Sequence, residues 1–147
     1  MTTDYLSRAR EALQEQMFSR LLGTEIHAFD ARSIDMRLPI TDDLGQNHGF
    51  VHGGVISYLA DNAMTFIGSA LLDGGGVASE MKINFVRPAI GQLLIARASV
   101  LSAGRSQAVC RCDVFAAAEG VEKLCAAAQG TVAKLGQQKR SVSPDVD

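Results

Sequence analysis

Residues 46–65 read QNHGFVHGGVISYLADNAMT, and the change within that stretch from polar and glycine-rich to apolar decides how the rest of the chain is arranged. From Val55 to Leu72 the chain is largely apolar and free of Gly and Pro until Gly68, a run too long for a typical strand. It predicts a buried helix. A helix that is apolar almost all round lies inside a protein, so each polar group on it, Asp61 above all, needs a reason to be there. Gly53 and Gly54 fall where this helix would begin. With no Cβ they let a ligand approach the backbone closely, and the unpaired N–H groups and positive dipole end of a helix start suit an acyl oxygen.

Working outward, 147 residues make one domain with a core of its own. Aromatic residues are 5% of the chain and Trp is absent, so that core must be built from Ala, Leu, Val, Ile and Met. A net charge of −2 and a pI near 5.9 argue against a nucleic-acid surface, and a phosphate-bearing ligand would depend on a few local Arg or Lys side chains. The first residues, MTTDYLSRAREALQ, lack the basic-then-apolar order of a secretory leader, and no uncharged stretch would span a bilayer. The expectation is a cytoplasmic protein with no membrane partner. Cys110, Cys112 and Cys125 are an odd set without C-x-x-C spacing, and they read as buried, reduced thiols on strands.

Asp4 to Leu22 reads as one surface helix, with Leu6, Ala9, Leu13, Met17 and Leu21 at three- and four-residue spacing and Gly23 as its stop. Residues 1–23 are therefore set apart as an N-terminal helix, 24–135 as the main domain and 136–147 as a polar, flexible tail. Ile26–Asp30 and Ser33–Leu38 form a hairpin, the second strand alternating apolar and polar. The central helix follows, stopped by Asp73-Gly74-Gly75-Gly76. Val77–Val86, Leu93–Leu101, Ser106–Phe115 and Val121–Leu135 then read as strands, with turns at Ala103-Gly104 and at Ala117 to Gly120. The class is α+β: a curved antiparallel sheet wrapped around one long helix.

Asp61 is the candidate catalytic carboxylate, because apolar neighbours desolvate it and a dry, ionised carboxylate serves as general base or nucleophile. The Gly53 N–H is the candidate oxyanion donor. Thr65, one turn after Asp61, shares its face, where a helix Thr can bond back to the Asp61 carbonyl. His48 and His52 precede the helix with no Glu between them, a poor metal set, and His52 instead shapes the turn. Gly53 and Asp61 are eight residues apart, about 12 Å along one helix, whereas an oxyanion donor and an attacking group both lie roughly 3 Å from one reacting centre. One chain cannot supply both; two antiparallel copies of the helix in a symmetric dimer can.

Gln46, Gly49, His52-Gly53-Gly54, Asp61 nine positions after His52, Thr65, and the segment Lys82-Ile83-Asn84-Phe85-Val86-Arg87-Pro88-Ala89 together resemble the hotdog-fold thioesterases of the PaaI-like group, related to the aroyl-CoA branch. The resemblance implies hydrolysis of acyl-CoA to free acid and CoA, with no cofactor beyond the CoA of the substrate. It implies a homodimer with shared sites, often doubled into a tetramer, and, by likeness to the aroyl-CoA branch, a Thr65 that helps hold the nucleophilic water. Gln46 stands where the superfamily carries an Asn or Gln that orients the water or the thioester, with Asn47 as the alternative if the loop register slips. Gly54 belongs to the same substrate-binding turn, and Arg87, Arg105 and Ser106 stand at positions that contact the phosphates or pantetheine of CoA. At Ala78 the chain departs from the family, where a Ser or Thr often stands; Ser79 is next door but faces the other side of a strand. Two other readings share the fold or the ligand. A hydratase or dehydratase would press His52 into proton transfer, and a non-catalytic domain would only bind acyl-CoA.

Overall fold

The computed structural model describes residues 4–136. Six strands, β1 (Glu25–Phe29), β2 (Ser33–Pro39), β3 (Gly76–Phe85), β4 (Leu93–Ala103), β5 (Gln107–Ala118) and β6 (Val121–Lys134), form one antiparallel sheet in the order β1-β2-β4-β5-β6-β3. Against it lies α3 (Gly53–Ser69), ahead of which α1 (Tyr5–Glu15) and α2 (Met17–Leu22) pack at the N-terminus. The α+β expectation holds. The longest helix, α3, has 17 residues, and among the described residues no helix is long and apolar enough to cross a membrane.

The central helix is held by its inner face. Leu59, Ala60, Ala63 and Ile67 have no exposure at all and meet a sheet face built of Met36, Leu38, Leu94, Ala96, Cys110, Cys112 and Val114. Each fully buried large apolar side chain contributes about 1.5–3 kcal/mol. Ala and Gly among them let the helix sit close to the strands. At Gly68 an added Cβ would stand 2.7 Å from Val132 Cγ2 and 3.1 Å from Cys110 Sγ. The helix ends at Ser69, earlier than Leu72, and Gly74 and Gly75, both at positive φ, turn the chain into β3. Glu119 and Gly120, also at positive φ, make a two-residue hairpin turn between β5 and β6. β3 is an edge strand with Val77 and Phe85 exposed.

The single N-terminal helix expected from periodicity is two. Gln16 leaves the helical region at φ −84°, ψ 102° and separates α1, which buries Ala9 and Leu13, from α2. Neither Gly nor Pro causes the break. Gln16 Oε1 instead accepts from Ser19 Oγ (2.6 Å) and from Asn62 Nδ2 (2.9 Å) on the central helix, a tertiary contact that a continuous helix would not make in this form. Gly23, at φ 74°, stops α2 as expected, with Thr24 N–H donating to Ser19 O. Of the tail set at 136–147, only Gly136 lies among the described residues, and it is exposed.

Gly68→Ala sets two effects against each other. Helix propensity gains about 1 kcal/mol, but a methyl group forced between helix and sheet costs about 1–3 kcal/mol, and the nearest atoms belong to a stiff β-branched valine. Urea unfolding should show a lower midpoint for the variant; a midpoint at or above wild type would mean that this contact gives way freely.

Candidate active site

The loop before the central helix is tied at several points. Gln46 N–H donates to Phe50 O (2.8 Å), Gly49 at φ 84° turns the loop, and Gly45 and Val51 form an isolated bridge. Val51 N–H then reaches Ala89 O (3.1 Å), and His52 N–H reaches Leu44 O (2.8 Å). These bonds hold the helix start against the Val86–Ala89 segment that follows β3. His52 is the N-cap: its Nδ1 accepts from Gly54 N–H at 2.8 Å. The Gly54 donor is thereby committed. Gly53, the first helical residue, has no intrahelical acceptor, and its N–H has no partner among the described residues. Phe85 lies over it, so a Cβ at Gly53 would stand 3.3 Å from the ring.

Gln46, Gly53, Phe85 and Arg87 line one open cleft of about 370 Å³. The Gln46 Oε1 accepts from His48 N–H, so a ligand in the cleft would meet its Nε2 end. A second cleft of about 490 Å³, lined by Ile90, Val121 and Lys123, shares Arg87 and Pro88 with the first. The expected residues are thus gathered in part. Asn47 is an exposed turn residue of the same loop. Arg105 and Ser106 stand elsewhere, in the β4–β5 hairpin, where Lys134 N–H donates to Ser106 O. Arg87 N–H bonds Cys125 O; nine residues of β6 separate the two attachment points, on the order of 30 Å of strand. Within one chain Arg87 and Arg105 do not meet at one phosphate.

Asp61 lies two turns down α3 from Gly53, half-buried on the outer face. Desolvation pushes its carboxyl above the ordinary aspartate range, and a hydrogen bond from Thr65 Oγ1 to Oδ1 (3.3 Å) pulls partly the other way. The Thr65 hydroxyl turns to the Asp61 carboxylate and not to the Asp61 carbonyl. Ser79 sits at a bulge in β3 and its Oγ donates to Thr131 O (3.2 Å), so it offers no second hydroxyl to Asp61. His48, His52 and Asp61 form no ligand set, and no group of three His, Cys, Asp or Glu side chains among the described residues could hold a metal ion.

Residues beyond the expected set also shape the site. Phe85 covers Gly53, and Lys123 joins Arg87; both lie in strands where alternation signals packing and charge signals solvent, so nothing local marks them. Asn62, by contrast, was visible as a polar residue in an apolar run. It is buried and joins Gln16, Ser19 and Tyr58 in one hydrogen-bonded cluster beside Asp61.

A curled antiparallel sheet around one helix, with a free N–H at the helix start and a desolvated carboxylate two turns on, defines a hotdog-fold hydrolase. The chain belongs to the thioesterase superfamily, whose family model matches residues 48–123. A curated relative from Deinococcus radiodurans, named "Putative esterase", is 33% identical over 132 residues, covering 88% of each chain. The crystal structure of the HI1161 thioesterase of Haemophilus influenzae superposes with a TM-score of 0.80 at 27% identity, covering 95% of this chain and 96% of that one. The PaaI protein of the phenylacetic acid degradation operon of E. coli shares the fold, with a TM-score of 0.77 at 23% identity over 92% of this chain and 97% of that one. The protein is a thioester hydrolase.

The three thiols are free and buried, and burial pushes Cys110 up to about 11, Cys112 to about 12 and Cys125 to about 11, so all three stay protonated at neutral pH and cannot attack. A variant with all three replaced by Ala should keep kcat/KM while its urea midpoint falls through lost packing. A folded triple variant without turnover would restore a thiol mechanism.

Proposed function

We propose that the chain hydrolyses acyl-CoA thioesters to free acid and CoA at sites shared between two copies, Gly53 N–H of one polarising the carbonyl and Asp61 of the other delivering the attack. The observation that supports this is a pair of groups on one helix: a donor without an acceptor at its start and a half-buried carboxylate, met by the Thr65 hydroxyl, about 12 Å further on. Asp61 acts as base toward a water or as nucleophile itself; both need the same ionised carboxylate. Gln46 orients the water or thioester, and Thr65 holds the carboxylate. A thiol leaves with a pKa near 8.5, so no strong acid is required. Arg87 and Lys123, on the cleft continuous with Gly53, serve the CoA phosphates; Arg105 and Ser106 reach CoA only from another copy. Two features support pairing of copies: the ten-residue edge of β3, unpaired among the described residues, which a stable protein covers or blunts, and the half-buried outer face of α3. Such dimers pair again into a tetramer.

The hydratase reading fits less well. With Nδ1 accepting from Gly54 N–H, the His52 ring is already engaged in capping the helix, and that nitrogen is not open to abstract a proton. A binding-only domain would release no thiol from any acyl-CoA in a panel.

Because burial raises the Asp61 carboxyl, the acid limb of kcat should lie above the ordinary aspartate value of about 3.9, and Thr65→Val, which removes the bond favouring the anion, should move it higher still. A limb unmoved by that substitution would separate Asp61 from the rate. The same shift makes the folded state hold this proton more tightly than the unfolded one, so Asp61 lowers stability increasingly as pH rises through the shifted range. Asp61→Asn should therefore be inactive yet at least as stable as wild type at pH 7; near-normal kcat would remove Asp61 from the mechanism.

Gly53→Pro removes the donor and should cost about a hundredfold or more in kcat. Mixed under exchange, Asp61→Asn and Gly53→Pro subunits should regain activity, since each heterodimer has one site with a normal Asp61 and a normal Gly53. Random pairing gives about a quarter of wild-type activity. Heterodimers proven by mass spectrometry but inactive would place both groups in one chain's site.

A further inference from the structure

Helix α2 exposes three of its four apolar residues and buries a polar one. Met17, Phe18 and Leu21 are 72%, 56% and 78% exposed, whereas Ser19 is 1% exposed. At six residues α2 is too short to hold itself, and polar side chains fasten it to α3. Ser19 Oγ and Asn62 Nδ2 both donate to Gln16 Oε1, and the Tyr58 hydroxyl meets Ser19 Oγ and, at 2.9 Å, Thr24 Oγ1. Such a cluster fixes one orientation, because its donors and acceptors must all be met at once. The orientation it fixes sets the Phe18 ring edge-on to Tyr58, with centroids 5.0 Å apart. Tyr58 precedes Asp61 by one helical turn on the outer face of α3, so the two side chains are neighbours.

The shared site proposed above then has two unlike flanks. The chain supplying Gly53 brings Arg87 and Lys123 along its clefts. The chain supplying Asp61 brings Tyr58 and, beyond it, Phe18, Leu21 and Met17; the one charged residue of α2, Arg20, lies with its Nη1 3.8 Å from Met17 Sδ. A thioester carries a polyanionic carrier on sulfur and an acyl tail on carbon. Charge complementarity sends the carrier to the cations and leaves the apolar flank for the tail. We infer that Phe18, with Leu21 and Met17, is the surface on which the acyl tail lies, so that the latched α2 helix sets preference for extended or aromatic acyl groups over acetyl. The inference rests on the shared-site reading for the placement of Asp61.

The test uses the full chain and Phe18→Ala, with Phe18→Leu as the conservative variant. The ratio of kcat/KM for decanoyl-CoA to that for acetyl-CoA should fall about tenfold in Phe18→Ala, chiefly through KM, as expected for losing the burial of a few methylenes, and Phe18→Leu should restore most of it. Titrating decanoyl-CoA into Asp61→Asn protein with and without Phe18→Ala reads the same contact without turnover. The double variant should bind about tenfold more weakly, and this arm stands even if Asp61 proves not to be the attacking group. An unchanged ratio with unchanged binding would overturn the inference. So would dissociation of the oligomer by Phe18→Ala in light scattering, which would make a second copy the occupant of this surface.

Discussion

Everything in this molecule is referred to the contact between α3 and the sheet. Because Gly68, Ala60 and Ala63 bring the helix backbone close to β5 and β6, the inner face is sealed and the helix cannot roll or slide without forcing side chains into Val132 or Cys110. Close packing of this kind transmits position. The outer face is thereby fixed as well, and with it the height at which Asp61 stands and the direction in which Tyr58 and Thr65 project. A carboxylate half out of water raises the energy of its ionised form. The apolar seal on the opposite side of the same helix is what offsets that, a division of labour in which one face stabilises and the other is left reactive.

The start of α3 shows the same economy at the level of single hydrogen bonds. Four N–H groups at a helix start lack intrahelical partners. His52 takes the one from Gly54 through Nδ1, which both caps the helix and selects which donor stays free. Gly53 is then the residue whose N–H looks outward, and Phe85 covers its Cα while the loop from Gln46 to Val51 is tied to Ala89 behind it. An oxyanion donor works best when it need not reorganise during the reaction, and in the role proposed for Gly53 the cap, the aromatic cover and the loop ties would hold its N–H before any substrate arrives.

Much of this was legible in the chain. The apolar run after His-Gly-Gly announced a buried helix, and the expected bounds of β2 to β6 lie within a few residues of the observed ones. The misreadings have a common cause. The break at Gln16 and the burial of Ser19 and Asn62 come from side chains 43 to 46 residues apart in sequence, and periodicity in α1 and α2 carries no trace of that pairing. The early end of α3 at Ser69 and the bulge at Ser79 arise where the chain turns against β6. The resemblance set Arg105 and Arg87 alike against CoA, yet antiparallel order puts them at opposite ends of β6. Local pattern locates elements; only strand order tells which of their ends meet.

That strand order also bears on the proposed sharing of the site. α3 runs alongside β3 in the opposite direction, Gly53 near Phe85 and Gly68 near Val132, the partner of Ala78. The two reactive groups therefore lie along the helix axis, parallel to the free edge of β3, and not across it. A substrate carbonyl is about the size of one residue and cannot bridge 12 Å of axis. A two-fold axis across that edge turns a second helix end for end, which brings the start of one beside the middle of the other without any change in either chain. Placing both groups in one chain would require a second element to supply the donor. In the proposed arrangement one helix is used twice, and each copy would contribute its cationic clefts to one site and its Tyr58 and α2 flank to the other.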